Sequence, residues 1–197
     1  MKRIIVSISG ATGVRYGVRV LEVLHNLGIE THLVITKSGT NNLLIETEYK
    51  QSDLESIASY VYDVEDVGAS IASGSFQVDG MIVAPCSIKT LSAIANSYNT
   101  NLVVRAADVT LKERRRLVLL VRETPLHKGH LKLMLEVTEM GGIIMPPIPA
   151  FYHHPETIQD IIDQTVGKAL DLLSIDAKLF KRWTEPTPIV KTKVRHE

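Results

Sequence analysis

KRIIVSISGATGVRYGVRVLEVLHNLGIETHLVI, residues 2–35, reads as strand, helix, strand. Residues 4–8 are an apolar run interrupted only by Ser7, the pattern of a first strand. Val14, Val18 and Leu21, with Val20, Leu24 and Leu27, then recur at helical spacing, and Gly28 stops the run. Residues 32–35 supply a second strand. Strands that alternate with helical stretches in this way predict an α/β chain with a mostly parallel sheet and crossover helices.

The alternation continues along the chain. Ser52-x-x-Glu55 reads as a capping box opening a helix toward Tyr60. Residues 63–77, with weak periodicity, predict a loop or a short helix. Residues 80–84 form a buried strand closed by Pro85. Helices are expected over 89–96 and 102–114, a strand over 117–121, and a helix over 126–140 that ends at Gly141-Gly142. Residues 143–145 are a strand terminated by a proline-rich PPIP stretch. Pro155 suits the first turn of a last helix, whose stripe is Ile158, Ile161, Ile162, Thr165, Val166, Ala169, Leu172 and Leu173. Residues 1–185 are read as one domain, and 186–197 as an extended arm.

Composition narrows the function. At 197 residues, 45% hydrophobic and 22% charged, the chain is an ordinary globular protein with one core. Its 22 cations balance 22 anions. A broad nucleic-acid or membrane surface needs a net positive face, so neither partner is expected, and any anion site is local. No segment approaches the roughly 20 apolar residues of a membrane span. The single cysteine, Cys86, excludes an internal disulfide and fits a reducing compartment, so the expected location is cytoplasmic.

Three loops and one cationic stretch carry the chemistry. Ser9-Gly10-Ala11-Thr12-Gly13 joins strand one to helix one, where backbone N–H groups face an anion or a flavin edge. Glycines at 10, 13 and 17 do not match the dinucleotide fingerprint, and no Gly-Lys-Ser/Thr follows. The alternative is a tight turn with Gly17 allowing close packing. Thr36-Lys37-Ser38 follows strand two, where a hydroxyl caps a helix or holds a phosphate. Pro85-Cys86-Ser87-Ile88-Lys89-Thr90 sets two hydroxyls three apart at a helix start. A lone cysteine beside a buried strand favours inert packing over nucleophilic chemistry. RAADVTLKERRRLVLLVRE, residues 105–123, holds six cations and three carboxylates. Arg105 and Lys112 share one helix face, and Arg122 and Glu123 emerge at a carboxyl strand end, the ligand edge of open α/β sheets. Cations so placed suit a phosphate. The competing reading pairs Arg105 and Lys112 with Asp108 and leaves Arg114, Arg115 and Arg116 solvated at a helix end. His127, His130, His153 and His154 lack the spacing of a metal site, and no metal is expected.

Together these motifs resemble the flavin prenyltransferase (UbiX-like) family across nearly the whole chain. The matching blocks are SGATG (9–13), IET (45–47), SGSF (73–76), APCSIKTLS (84–92), RAADVTLKERR (105–115), VRETPL (121–126) and AFYHHPET (150–157). The resemblance implies a Rossmann-like, flavodoxin-like three-layer sandwich assembled into a homododecamer. It implies transfer of the prenyl group of dimethylallyl phosphate to N5 and C6 of reduced FMN, for use by a UbiD-type decarboxylase. By motif, Gly10, Ala11, Thr12, Thr36, Ser87, Ile88, Lys89, Thr90 and Arg122 would hold FMN. Arg105, Lys112, Tyr152 and Lys168 would meet the donor phosphate, some from a neighbouring subunit. Glu46 and Glu123, with Arg105 and Lys112, would be catalytic. Thr12 stands where serine is common, and Lys168 where arginine is common. Two other readings share the fold: an FMN-dependent cysteine-type decarboxylase, whose Pro-Ala-Ser-Ala-Asn-Thr block this chain lacks, and a non-catalytic flavin carrier.

Overall fold

The six strands form one sheet, all parallel, in the order β3-β2-β1-β4-β5-β6. They are β1 (Arg3–Ile8), β2 (Glu30–Ile35), β3 (Tyr60–Tyr62), β4 (Gly80–Cys86), β5 (Arg116–Val121) and β6 (Ile143–Ile144). The structure, a computed structural model, describes residues 1–182; the expected arm at 186–197 lies outside them. Helices cover both faces, so the central strands are apolar on both sides. Ile4, Val6, Ile8, Ile82 and Leu120 pack with α1 (Val14–Asn26), α2 (Lys37–Glu46), α3 (Gln51–Ile57) and α7 (Ile158–Leu172). Ile5, Met81, Val83, Leu117 and Leu119 face α4 (Ile88–Ala95), α5 (Leu102–Lys112) and α6 (Lys128–Glu139). This is the expected three-layer sandwich.

Several boundaries depart from expectation. Helix α3 starts at Gln51, not after Ser52: the Asp53 carboxylate accepts from the Lys50 N–H at 2.7 Å and sets the start. Pro155 lies outside α7, because Thr157 and Asp160 cap that helix reciprocally, at 3.2 and 2.8 Å. Strand β4 does not close at Pro85 but runs to Cys86, through a register irregularity after Val83. Proline is tolerated at such a break.

Helix α5 ends in a Schellman turn. The Arg114 N–H donates to Leu111 and the Arg115 N–H to Thr110, both at 2.9 Å, with Arg114 left-handed at φ 56°. Glycine is the usual residue there, because a Cβ costs roughly 1 kcal/mol in that conformation. Arg114→Gly should therefore raise the thermal midpoint by about 2–4 °C, measured by calorimetry.

His32 is buried near the β3 edge, stacked on Tyr60 at 4.9 Å. Its Nδ1 meets the Tyr62 hydroxyl at 2.9 Å and its Nε2 meets Glu30 at 3.0 Å. Burial lowers its pKa below the ordinary 6.5, and the Glu30 bond opposes that only in part. The folded chain thus prefers neutral His32. That preference stabilises fully above 6.5 and fades as pH falls toward the lowered folded value. Thermal midpoints from pH 7.5 to 5 should fall more steeply for the native chain than for His32→Gln; parallel slopes would refute this.

Candidate active site

Strand order reverses direction between β1 and β4, which makes the gap at their carboxyl ends the topological switch point. The loops after β1 and β4 are tied together there by Ser9. Its buried hydroxyl donates to the Pro85 carbonyl at 2.9 Å and accepts from the Ser87 N–H at 2.9 Å. A cavity of about 400 Å³ opens beside this tie. Gly10, Thr36, Ser87, Lys89, Thr90 and Glu123 are among the residues that line it, and Ile88 is another.

Three helix N-termini converge on this cavity. Thr36 caps α2 by accepting from the Gly39 N–H at 3.0 Å, Ser87 caps α4 by accepting from Thr90 at 3.2 Å, and Asn101 caps α5 by accepting from Val104 at 3.1 Å. All three caps line the cavity. The positive ends of three helix dipoles, with Lys37 and Lys89 beside them, favour an anion. Thr36 caps its helix and still keeps a hydroxyl proton to donate. The loops meet tightly, since a Cβ on Gly10 would fall 2.3 Å from Ser38 Cβ. Size, hydroxyls and dipoles fit a phosphate-bearing ligand such as FMN.

Glu123 is half-buried on the cavity wall, its carboxylate accepting from the Thr124 N–H at 3.1 Å. Arg122 is next to it and exposed, its N–H donating to the Cys86 carbonyl at 3.0 Å. Ala11 and Thr12 stand on the β1–α1 turn. Cys86 is fully buried, which pushes its thiol far above the ordinary range and makes it a packing residue.

The other predicted residues do not join this cavity within one chain. Glu46, the last residue of α2, accepts from the Gly13 and Val14 N–H groups at 2.8 and 3.1 Å. It thereby caps α1 from outside and lines a separate cleft with Arg15, Arg19 and Tyr49. Arg105 donates to the Ala72 carbonyl at 3.2 Å and pairs with Asp108 at 3.1 Å. Lys112 pairs with Glu113, not Asp108, and holds that carboxyl below its ordinary range. Helix α5 starts at the cavity and runs away from it, so Lys112 lies about 10 Å farther along the axis than Arg105. Exposed Lys168 sits on α7, across the sheet from α5. Tyr152 is in the loop before α7, its ring 5.6 Å from that of His153. The arginine run is not simply solvated. Arg115 donates to the Phe76 and Gly74 carbonyls at 2.8 Å each. Arg116 donates to the Leu172 carbonyl and, at 3.0 Å, to Ser174. His127 serves as the N-cap of α6, accepting from the Gly129 N–H at 3.0 Å.

Residues 1–170 match the Flavoprotein family model. A flavin prenyltransferase UbiX from Thauera aromatica is 60% identical over 182 residues, 92% of this chain and 94% of that protein. The chain belongs to the flavin prenyltransferase family. The crystal structure of AnUbiX (PadA1) with FMN and dimethylallyl pyrophosphate is 49% identical, with a TM-score of 0.93 over 94% of this chain and 99% of that one. The dodecameric FMN-dependent UbiX-like decarboxylase from Escherichia coli O157:H7 is 45% identical, with a TM-score of 0.90 over 94% and 100%.

In this member of the flavin prenyltransferase family, residues beyond those assigned by motif also line the cavity. Ser38 and Asn101 were open to prediction, Ser38 as the third residue of its loop and Asn101 as a cap before an apolar stripe. Glu65 comes from the irregular 63–77 stretch, which carries no periodic signal. The buried tie through Ser9 depends on a strand pairing that no local pattern announces.

Proposed function

We propose that this chain joins the dimethylallyl group of dimethylallyl phosphate to reduced FMN at N5 and C6. The observation that carries the reading is the switch-point cavity. It sets three capped helix N-termini and Glu123 around one space of ligand size. Bound reduced FMN supplies the electron-rich ring that the dimethylallyl group joins. Gly10, Ala11 and Thr12, with Thr36, Ser87 through Thr90 and Arg122, orient it. Arg105, Lys112 and Lys168 take up the charge that grows on the donor phosphate as its allylic C–O bond breaks. The Tyr152 phenol donates to the same phosphate. The released phosphate keeps the N5 proton; the dimethylallyl double bond gains a proton as its tertiary carbon bonds to C6, and the C6 proton returns to the group that gave it, Glu123 or the phosphate. The apolar walls at Val64, Ala93 and Val104 keep water from the allylic carbon.

One chain cannot assemble this set. Lys112 and Lys168 lie on opposite layers, both displaced from the cavity edge. Their convergence requires neighbouring copies, which fits the dodecamer seen for the Escherichia coli relative. Exposed Leu131 and Leu135 on α6, with Ile148 and Phe151, offer apolar surface for such contacts. Within this reading Glu46 approaches the reacting centre only through the assembly, in addition to capping α1. The product passes to a UbiD-type decarboxylase in the cytoplasm. No helix among the described residues is long and apolar enough to cross a membrane.

Mixing the oligomer anaerobically with reduced FMN and dimethylallyl phosphate should yield a flavin carrying one added five-carbon unit, read by mass spectrometry. The diphosphate, run in parallel, should react more slowly. Unchanged FMN with correctly folded protein would overturn the assignment.

A further inference from the structure

The loop Ala72–Phe76 is held by arginines of α5 and its C-terminal turn at three alternate carbonyls. Arg105 Nε donates to the Ala72 carbonyl at 3.2 Å, and the two terminal nitrogens of Arg115 donate to Gly74 and Phe76 at 2.8 Å each. The middle of that loop touches the end of α5. A Cβ placed on Gly74 would fall 2.6 Å from Lys112 Nζ and 2.1 Å from Glu113 Oε1. The Lys112 ammonium therefore rests over bare backbone at Gly74, with Glu113 as its ion-pair partner. The Ser73 and Ser75 hydroxyls bond each other at 2.9 Å on either side.

Arg115 owes its place to the Schellman turn at the end of α5. The left-handed Arg114 turns the chain so that the next side chain points back along the loop rather than onward into β5. A guanidinium suits the task, because its fork presents parallel donors to two carbonyls at once, which an ammonium cannot match in one geometry. The same Arg115 charge also acts on Glu113, adding to the pull that keeps that carboxylate ionised.

We infer that Arg115 is a positioning residue for the prenyl donor: it pins the 72–76 loop so that Gly74 leaves room for Lys112, and so fixes where the Lys112 ammonium stands. The inference rests on the reading that Lys112 meets the donor phosphate. Arg115 itself does not touch the reacting groups. It lies on the α5 side, away from the Thr36 and Ser87 caps, so FMN affinity should not depend on it.

Two variants test this from opposite sides of the contact. Arg115→Ala frees the loop, and Gly74→Ala drives a methyl group into the Lys112–Glu113 pair while leaving Arg115 intact. In the intact oligomer, each should raise the KM for dimethylallyl phosphate at least about tenfold, since misplacement by an ångström is that costly. Turnover at saturating donor should fall as well, though by less than for Lys112→Ala, because the displaced ammonium also acts on the bond-breaking step, and the Kd for FMN should stay within twofold of the native value. Arg115→Lys should recover only part of the donor KM. A native donor KM in both folded variants would overturn the inference, as would a loss of FMN affinity parallel to the rise in KM. If Arg115→Ala fails to fold, Gly74→Ala decides alone. Lys112→Ala separates the two levels. If it transfers the prenyl group normally, the reading of the site fails. If it is inactive while Arg115→Ala and Gly74→Ala keep a native donor KM, only the positioning role fails.

Discussion

Lys112→Ala should cut prenyl transfer by about 10²–10³ in kcat while FMN still binds. The magnitude is that of removing one fixed charge-stabilising group from a transition state. Lys112 lies outside the cavity that its own chain builds from Gly10, Thr36 and Ser87, so its loss should leave the proposed flavin contacts untouched. Rapid-quench turnover under anaerobic conditions, with FMN binding followed by fluorescence, reads the two effects separately. Native product yield from the variant would show that Lys112 takes no part in the transfer. A parallel loss of FMN would show that the end of α5 supports the cavity rather than the donor.

Gly17→Ala should be the most destabilising single methyl addition in the first helix. Gly17 lies in α1, where that helix crosses the sheet. A Cβ there would sit 2.1 Å from the Ala84 carbonyl oxygen and 2.8 Å from Ile8 Cγ1. Neither neighbour yields cheaply, since one is backbone of the central strand and the other is buried core. Overpacking of this kind costs about 1–3 kcal/mol, and the backbone clash puts this case at the upper end. The thermal midpoint should drop by about 6–12 °C. Because Ala84 leads into the loop that Ser9 ties to β1, FMN affinity should fall as well. A midpoint unchanged within 2 °C would show that α1 can slide off the sheet without cost.

Some of this architecture was legible in the sequence, and the reasons are physical. The unit at 2–35 was legible because α1 buries a continuous stripe and both strands are apolar on each face. The loops that line the cavity were legible because glycine and hydroxyl residues directly follow apolar runs at parallel strand ends. Helix α2 was not, since only Gly39 and Leu43 are buried and no stripe forms. Strand β3 was not, since Tyr60 and Val61 are exposed at a sheet edge three residues long. The shared face of Arg105 and Lys112 was readable from their spacing. Their distance from the chain's own cavity was not, because it depends on which end of α5 meets the sheet's carboxyl edge. The fate of Arg115 and Arg116 was hidden for a similar reason: their acceptors are carbonyls 41 and 56 residues away.

The sheet stands as a wall between α5 and α7, and its consequence is genetic as much as chemical. If each working centre borrows Lys112 from one copy and Lys168 from another, a damaged chain spoils sites in its healthy neighbours. Two different damaged chains, each lacking one of these lysines, would regain some output when made together, because some borrowed pairs would be whole.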